Sequence, residues 1–64
     1  MIKLWDIVKY TGPTISDERG YLENGENARV SSFYKEFVWV SNINQPFCGS
    51  FCGWIDRKYL KKVL

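Results

Sequence analysis

The chain has 64 residues, 17% of them aromatic, and its nine Lys and Arg residues against seven Asp and Glu residues give a net charge of +2. A chain of this length forms a single domain over residues 1–64, and its aromatic content excludes a disordered chain, because each ring can bury about 150–250 Å². It contains no histidine, no phosphate-binding glycine loop and no nucleophile beside a base. The sequence therefore predicts a protein that is not an enzyme and that uses no cofactor.

The two cysteines, Cys48 and Cys52, supply only half of a zinc site, because zinc takes four ligands and the chain has no third cysteine. No metal is expected. On a straight strand their α-carbons would lie about 13 Å apart, beyond the reach of a disulfide, although a tight turn at Gly49 would bring them together. The N-terminal stretch lacks the apolar segment of a signal peptide or membrane span, so we expect a cytosolic protein with buried, reduced thiols and no membrane contact.

The first half of the chain predicts a strand, a loop and a hairpin. Apolar and polar residues alternate over residues 2–10, which is typical of a strand, and Gly12-Pro13 ends it. Residues 13–19 are predicted to form a loop. Asn24-Gly25 predicts a type I′ turn between two paired strands, because that turn requires positive φ at both central residues.

The second half predicts two strands followed by a short turn and a last strand. Residues 37–42, FVWVSN, are rich in β-branched and aromatic residues and predict a central strand, and residues 49–55 predict the next one. Asp56 is expected to cap one 3₁₀ turn over 57–59, after which residues 60–64 return to the sheet. Five short strands with tight turns predict an all-β fold, a small closed barrel without exposed edges.

The closing segment CGWIDRKYLKKV resembles the end of Src-homology-3-like (SH3-like) barrels, where a glycine, an aromatic, an aliphatic residue, a 3₁₀ turn and a valine-like strand follow in order. FVWVSN resembles the middle strand of that fold, and DIVKYTGP resembles the opening strand of its bacterial and phage members. The resemblance implies a small free-standing five-stranded SH3-like barrel, with one 3₁₀ turn before the last strand, that binds protein or nucleic acid. Asp56 replaces the proline of the peptide-binding members and only Tyr10 remains of their aromatic opening motif, so binding of proline-rich peptides is not expected.

Two tryptophans are the main candidates for a protein-binding surface. If Val38 and Val40 face the core, strand parity puts Trp39 and Trp54 on the other face, where large aromatics are unusual without a partner. The alternative is that these rings complete the core from outside. Tyrosine and arginine also carry interface energy, and acids in the first loop can steer association. The predicted protein-binding residues are Trp39, Trp54, Tyr59, Arg57, Tyr10, Asp17 and Glu18.

A basic C-terminal segment supports a second hypothesis, in which the barrel binds nucleic acid. Basic side chains around Tyr59 can bind phosphates while the tyrosine ring stacks on a nucleobase. The predicted residues of this alternative are Arg57, Lys58, Lys61 and Lys62. The first interpretation remains a non-enzymatic protein-binding module or small inhibitor whose partner is another protein, and a homodimer is a third alternative.

Overall fold

The structure, a computed structural model, describes residues 2–43 and 50–63. Within these residues the chain is all-β, as predicted, with seven strands and one 3₁₀ turn. None of the described residues belongs to a helix long and apolar enough to cross a membrane. The strands are β1 (Ile7–Tyr10), β2 (Ile15–Asp17), β3 (Gly20–Leu22), β4 (Asn27–Tyr34), β5 (Phe37–Asn42), β6 (Cys52–Asp56) and β7 (Leu60–Lys62), and the 3₁₀ turn is Arg57–Tyr59.

Five of the strands form one antiparallel sheet in the order β6-β5-β4-β1-β7, while β2 and β3 form a separate hairpin. The register of β4 against β5 shifts between Val30 and Ser32. This bulge adds one unpaired residue to β4 and bends it, as bulges do. Before the bulge β4 pairs with both β1 and β5, and beyond it β4 pairs with β5.

The core draws buried side chains from both sheets. Leu22 of the β2–β3 hairpin is fully buried with the apolar residues of the main sheet. Asn42 is buried and polar, and its amide donates to the Tyr21 carbonyl (2.9 Å) and to Glu26 Oε1 (3.1 Å), which ties β5 to β3. The buried apolar residues are Val8, Tyr10, Leu22, Ala28, Val30, Val38, Val40, Phe51, Ile55 and Leu60.

The first strand is shorter than predicted, since β1 begins at Ile7 and not at residue 2. The preceding residues form a turn in which the Asp6 amide donates to the Lys3 carbonyl (3.1 Å) and the Asp6 carboxylate accepts from the Lys3 amide (2.8 Å). Trp5 lies in this turn at φ 71°. The local hydrogen bonds of an aspartate compete with the sheet ladder, and at this position they prevail over the alternating pattern.

The predicted loop over 13–19 is wrong, because it contains β2. Residues Ile15–Asp17 pair with Gly20–Leu22 in a tight hairpin. The Asp17 carboxylate accepts from the Arg19 amide (2.8 Å) and so closes the turn, a role that short acidic side chains often take.

The predicted hairpin at Asn24-Gly25 is also wrong. The two residues do form a turn, with the Glu26 amide donating to the Glu23 carbonyl (3.0 Å), but β3 pairs with β2 and β4 pairs with β1 and β5. Among the described residues only Trp5, Lys35 and two glycines, Gly20 and Gly25, have positive φ, so Asn24 does not adopt the type I′ conformation. The Gly25 amide donates to the Tyr10 carbonyl (2.7 Å), and the turn therefore leads the chain back to β1.

The end of the chain follows the prediction more closely. β5 spans Phe37–Asn42 as expected, and Asp56 caps the 3₁₀ turn by accepting from the Lys58 amide (3.0 Å). Cys52 is exposed as a free thiol, so its predicted burial is wrong: it lies opposite Ser41, and its Sγ is 3.5 Å from the serine Oγ. Cys48, for which burial was also predicted, lies outside the described residues.

Candidate functional site

The register of the main sheet places four aromatic side chains on one face. Residues directly opposite each other in antiparallel strands share a face. Trp39 pairs with Trp54, and Phe37, two residues before Trp39 on β5, pairs with Tyr34. Val38 lies between Phe37 and Trp39 on β5 and is fully buried. Because successive side chains of a strand point to opposite faces, Phe37, Trp39 and the residues paired with them point away from the core. We call this side the outer face, and the prediction that Trp39 and Trp54 lie there is confirmed.

Tyr34, Phe37, Trp39 and Trp54 form what we call the aromatic patch. The Trp39 and Trp54 rings meet edge to face, with centroids 5.3 Å apart and planes at 85°, and the Tyr34 and Trp54 centroids are 6.2 Å apart. Such tilted contacts suit the charge distribution of aromatic rings. Tyr34 is still 57% exposed, Trp54 39% and Phe37 38%. The rings therefore support one another while much of their surface remains open to solvent.

An open apolar groove lies within the aromatic patch. It has a volume of about 340 Å³ and is lined by Tyr34, Phe37 and Trp54. At its margin the Lys35 ammonium lies 5.4 Å from the centroid of the Tyr34 ring. A groove walled by rings offers flat apolar contact, which is the usual lining of a ligand-binding pocket.

Three basic residues lie on the outer face outside the aromatic patch. Lys9 of β1 lies directly opposite Lys61 of β7, and Arg29 of β4 lies directly opposite Ser41 of β5. Ser41 follows Trp39 by two residues, so both point to the outer face. Arg29 also pairs with Ile7, which shares the face of Lys9. We call Lys9, Arg29 and Lys61 the basic row.

Within the part of the chain that the structure describes, no ion pair neutralises the charges of the basic row. In residues 2–43 and 50–63 the ion pairs within 4 Å join Arg19 to Asp17 and Lys62 to Asp6. Among the paired residues of the main sheet that the structure describes, Asp56 is the one carboxylate on the outer face, where it lies opposite Phe37. The outer face therefore combines aromatic rings with a surplus of positive charge.

Two of the predicted binding residues, Tyr10 and Tyr59, lie together in a different place. Tyr10 is only 1% exposed, its hydroxyl donates to the Pro13 carbonyl (2.5 Å), and its ring meets the Tyr59 ring at 6.2 Å and 70°. Burial raises the pKa of Tyr10, and the neighbouring Tyr59 raises it further. Tyr10 is part of the core, and the partly buried Tyr59 packs against it.

The bases of the C-terminal segment are distributed over several sites. The Arg57 guanidinium donates to the Lys35 carbonyl (3.3 Å), which places Arg57 at the β4–β5 turn, next to the aromatic patch. The Lys58 ammonium lies 5.1 Å from the centroid of the Tyr59 ring, and Lys62 pairs with Asp6 at 3.6 Å. Of the four bases in the nucleic-acid hypothesis, Lys61 is the one in the basic row.

The predicted acids lie at the tip of the β2–β3 hairpin. Glu18 is exposed, while the Asp17 carboxylate binds the Arg19 guanidinium at 2.9 Å. The side-chain and backbone hydrogen bonds from Arg19 hold the pKa of Asp17 below its usual range. The Arg19 carbonyl accepts from the Cys52 amide (3.1 Å), so the hairpin lies against the start of β6.

Sequence reasoning missed Tyr34, Phe37, Lys9 and Arg29. Lys9 lies in the alternating stretch of residues 2–10, but only the register shows that Lys61 and Arg29 share its face. The described residues contain no group of three or more His, Cys, Asp or Glu side chains placed to hold a metal ion. The chain matches no protein-family model, no curated protein and no solved structure.

Proposed function

We propose that this chain is a non-enzymatic binding module, a five-stranded SH3-like barrel that holds its partner on the outer face. The bend at the β4 bulge and the 3₁₀ turn before β7 support the barrel. So does the β2–β3 hairpin, which contacts the stretch before β6 through the Tyr21–Ser50 bridge. The observation that carries the binding function is the aromatic patch, because clustered exposed rings on a small protein mark interaction sites.

Another protein is the partner that the aromatic patch by itself favours, and the module would then act as an accessory protein or small inhibitor. Tryptophan and tyrosine are enriched among residues whose truncation weakens protein complexes most. The groove of about 340 Å³ accepts an apolar side chain of such a partner, and Arg57 lies at its margin. The exposed thiol of Cys52 suits a reducing compartment, and we propose the cytosol.

Nucleic acid is the second candidate, and the basic row favours it. In this proposal the phosphate contacts are the basic row, Lys9, Arg29 and Lys61. Of the residues predicted from the sequence only Lys61 is retained, and Arg57, Lys58 and Lys62 are not part of the contact. Basic side chains next to aromatic rings on which nucleobases stack are the usual combination in proteins that bind single-stranded nucleic acids. A homodimer in which two patches meet is the third candidate, and sedimentation equilibrium tests it directly.

The proposal is tested by affinity capture from a lysate of the source cells, using the wild-type chain and two tryptophan variants. Trp54→Leu removes a ring of the aromatic patch, while Trp5→Leu removes a 62% exposed ring in the turn before β1 and serves as the matched control. We expect the captured partner to be lost with Trp54→Leu and retained with Trp5→Leu. The same partner at the same yield from both variants would overturn the proposal. Nuclease treatment of the lysate separates protein from nucleic-acid partners.

A further inference from the structure

We infer that the partner of the outer face is a single-stranded nucleic acid, whose phosphates contact the basic row while its bases stack on the aromatic patch. The inference rests on the proposed use of the outer face and names the class of partner. Three features of the outer face carry it: unneutralised charge, accessible ring faces and the path that joins them.

The first feature is the repulsion built into the basic row. Lys9 and Lys61 are directly opposite in neighbouring strands, where Cβ atoms are about 4.5–5.5 Å apart and like charges destabilise the sheet. The ion pairs within the described residues do not involve either lysine. A bound phosphate would relieve this repulsion and release counterions, which drives the binding of nucleic acids.

The second feature is the shape and chemistry of the aromatic patch. The groove is open and lined by the rings of Tyr34, Phe37 and Trp54. Every nucleobase presents a flat face that can stack on such rings, and stacking of this kind tolerates any sequence. Because the groove offers rings and few polar groups, we expect binding with little preference among bases.

The third feature is the path between the two regions. From β7 to β6 the outer face crosses four strand spacings, about 19 Å at 4.8 Å each, and the β4 bulge bends the sheet on the way. A flexible single strand can follow a bent face of this width. A duplex is stiff over about 150 base pairs and hides its base faces, so it could not reach the rings and the basic row together.

An acidic polypeptide is the other ligand that could bind the outer face. It differs from a nucleic acid in what it offers to the aromatic patch. Carboxylates would satisfy Lys9, Arg29 and Lys61 as phosphates do, but an acidic chain brings no planar group for each ring. Poly-glutamate is therefore the control that isolates the contribution of charge.

The test is fluorescence anisotropy of a labelled 12-nucleotide oligothymidylate, titrated with the chain at several salt concentrations. For single strands, the logarithm of the binding constant falls with the logarithm of the salt concentration by about 0.7 per phosphate contacted. Three contacts therefore predict a slope of about −2. In a Trp5→Phe background, the tryptophan fluorescence reports Trp39 and Trp54, and we expect the oligonucleotide to quench it.

Paired variants locate the binding site. The double variant Lys9→Gln/Lys61→Gln should weaken binding and reduce the slope by about 1.4, because two phosphate contacts are lost. The control double variant Lys3→Gln/Lys58→Gln removes the same charge outside the basic row and should leave the slope unchanged. Trp54→Leu should weaken binding about 5- to 150-fold, the range for one lost base stack, whereas Trp5→Leu should not. Thermal melting of each variant confirms that it is folded.

Three results would overturn the inference: no binding of the oligonucleotide at 50 mM salt, equal competition by poly-glutamate, or a larger effect of the control double variant than of the basic-row variant. Failure of the oligonucleotide together with a captured partner that resists nuclease and depends on Trp54 would reject nucleic acid and leave the proposed binding face intact. Failure of both experiments would reject the binding face as well.

Discussion

Two aromatic clusters in this small protein use the same residue types in opposite ways. In the first, the Tyr10 ring is buried and its hydroxyl donates a hydrogen bond to the Pro13 carbonyl. The Tyr59 ring packs edge to face against the Tyr10 ring. The second is the aromatic patch, whose rings contact one another but remain open to solvent on the outer face. In the first cluster the Tyr10 ring is enclosed and Tyr59 is partly buried against it, while the second cluster leaves an open groove.

The difference shows where the aromatic content stabilises the fold and where it is available for binding. A buried ring contributes apolar area and packing, and its loss leaves a cavity. A ring that is partly open to solvent contributes less to stability than a fully buried one, and a cluster of such rings indicates an interaction site. We therefore expect substitutions in the buried cluster to lower stability, and equal substitutions in the aromatic patch to weaken binding while stability changes little.

The largest expected contrast is between Tyr10→Ala and Tyr34→Ala. Tyr10→Ala should lower the free energy of unfolding by about 3–5 kcal/mol, because it opens a cavity in the core. Tyr34→Ala makes the same chemical change at a ring that is 57% exposed and should cost less than about 1 kcal/mol. Urea denaturation measures both, and equal losses would erase the distinction between the clusters.

Gly12→Ala should show how tightly the buried cluster is packed. A Cβ at Gly12 would lie 2.6 Å from Tyr10 Oη and 2.9 Å from Tyr59 Cγ. The Tyr10 ring is enclosed by the core, so we expect a loss of about 1–3 kcal/mol, the usual range for overpacking. Gly53→Ala, whose nearest contact would be 3.2 Å from Phe51 Cζ, is the milder control. The melting temperature of Gly12→Ala should be lower than that of Gly53→Ala, and the reverse order would contradict the packing described.

Removal of a single hydroxyl sharpens the comparison. Tyr10→Phe should cost about 1 kcal/mol, because the Pro13 carbonyl loses its part-buried donor. Tyr34→Phe should change stability by less than about 0.5 kcal/mol. Chemical denaturation of the two variants side by side provides the measurement. A larger loss from Tyr34→Phe would mean that the patch hydroxyl has a structural role.

Lys9→Glu should separate stability from binding. It replaces a like-charge pair with an opposite-charge pair across β1 and β7, so we expect a gain of about 0.2–1 kcal/mol. The same change should weaken oligonucleotide binding by removing one phosphate contact. Lys3→Glu, outside the basic row, is the control. A Lys9→Glu protein that binds as well as wild type would show that the basic row does not contact the ligand.

The smallest effect is expected from the Asp17–Arg19 pair at the hairpin tip. Arg19 lowers the pKa of Asp17 in the folded protein, while an unfolded aspartate titrates at about 3.9. The pair therefore stabilises the fold above about pH 4, and its contribution is lost as pH falls through the lower folded pKa. Asp17→Asn should lack this part of the acid sensitivity. Melting temperatures of wild type and variant between pH 2 and 6 should converge toward acid, and parallel curves would contradict the assignment.

Local patterns predicted β5 and the capped 3₁₀ turn well. The alternation of Val38 and Val40 with Trp39 gave both the span of β5 and the outward direction of the tryptophan. Asp56 capped the 3₁₀ turn as expected from its chemistry. These features depend on residues close together in the sequence, where strand parity and capping act directly.

Long-range pairing accounts for what the sequence could not show. The Asn24-Gly25 turn was recognised, but the partners of β3 and β4 are set by packing elsewhere in the fold. The basic row joins Lys9 and Lys61 from opposite ends of the chain, and its membership depends on the register of three strands. A charge count along the sequence grouped Lys61 with Arg57 and Lys58, which the fold places elsewhere.

The most direct test of the binding face is a ¹⁵N NMR titration of the chain with the 12-nucleotide oligothymidylate, following the three tryptophan indole signals. Trp39 and Trp54 lie in the aromatic patch, and Trp5 lies in the exposed turn before β1. We predict that the indole signals of Trp39 and Trp54 shift in a saturable manner while that of Trp5 stays in place. Movement of Trp5 alone, or no movement of the patch signals, would contradict the proposal that single-stranded nucleic acid occupies the outer face.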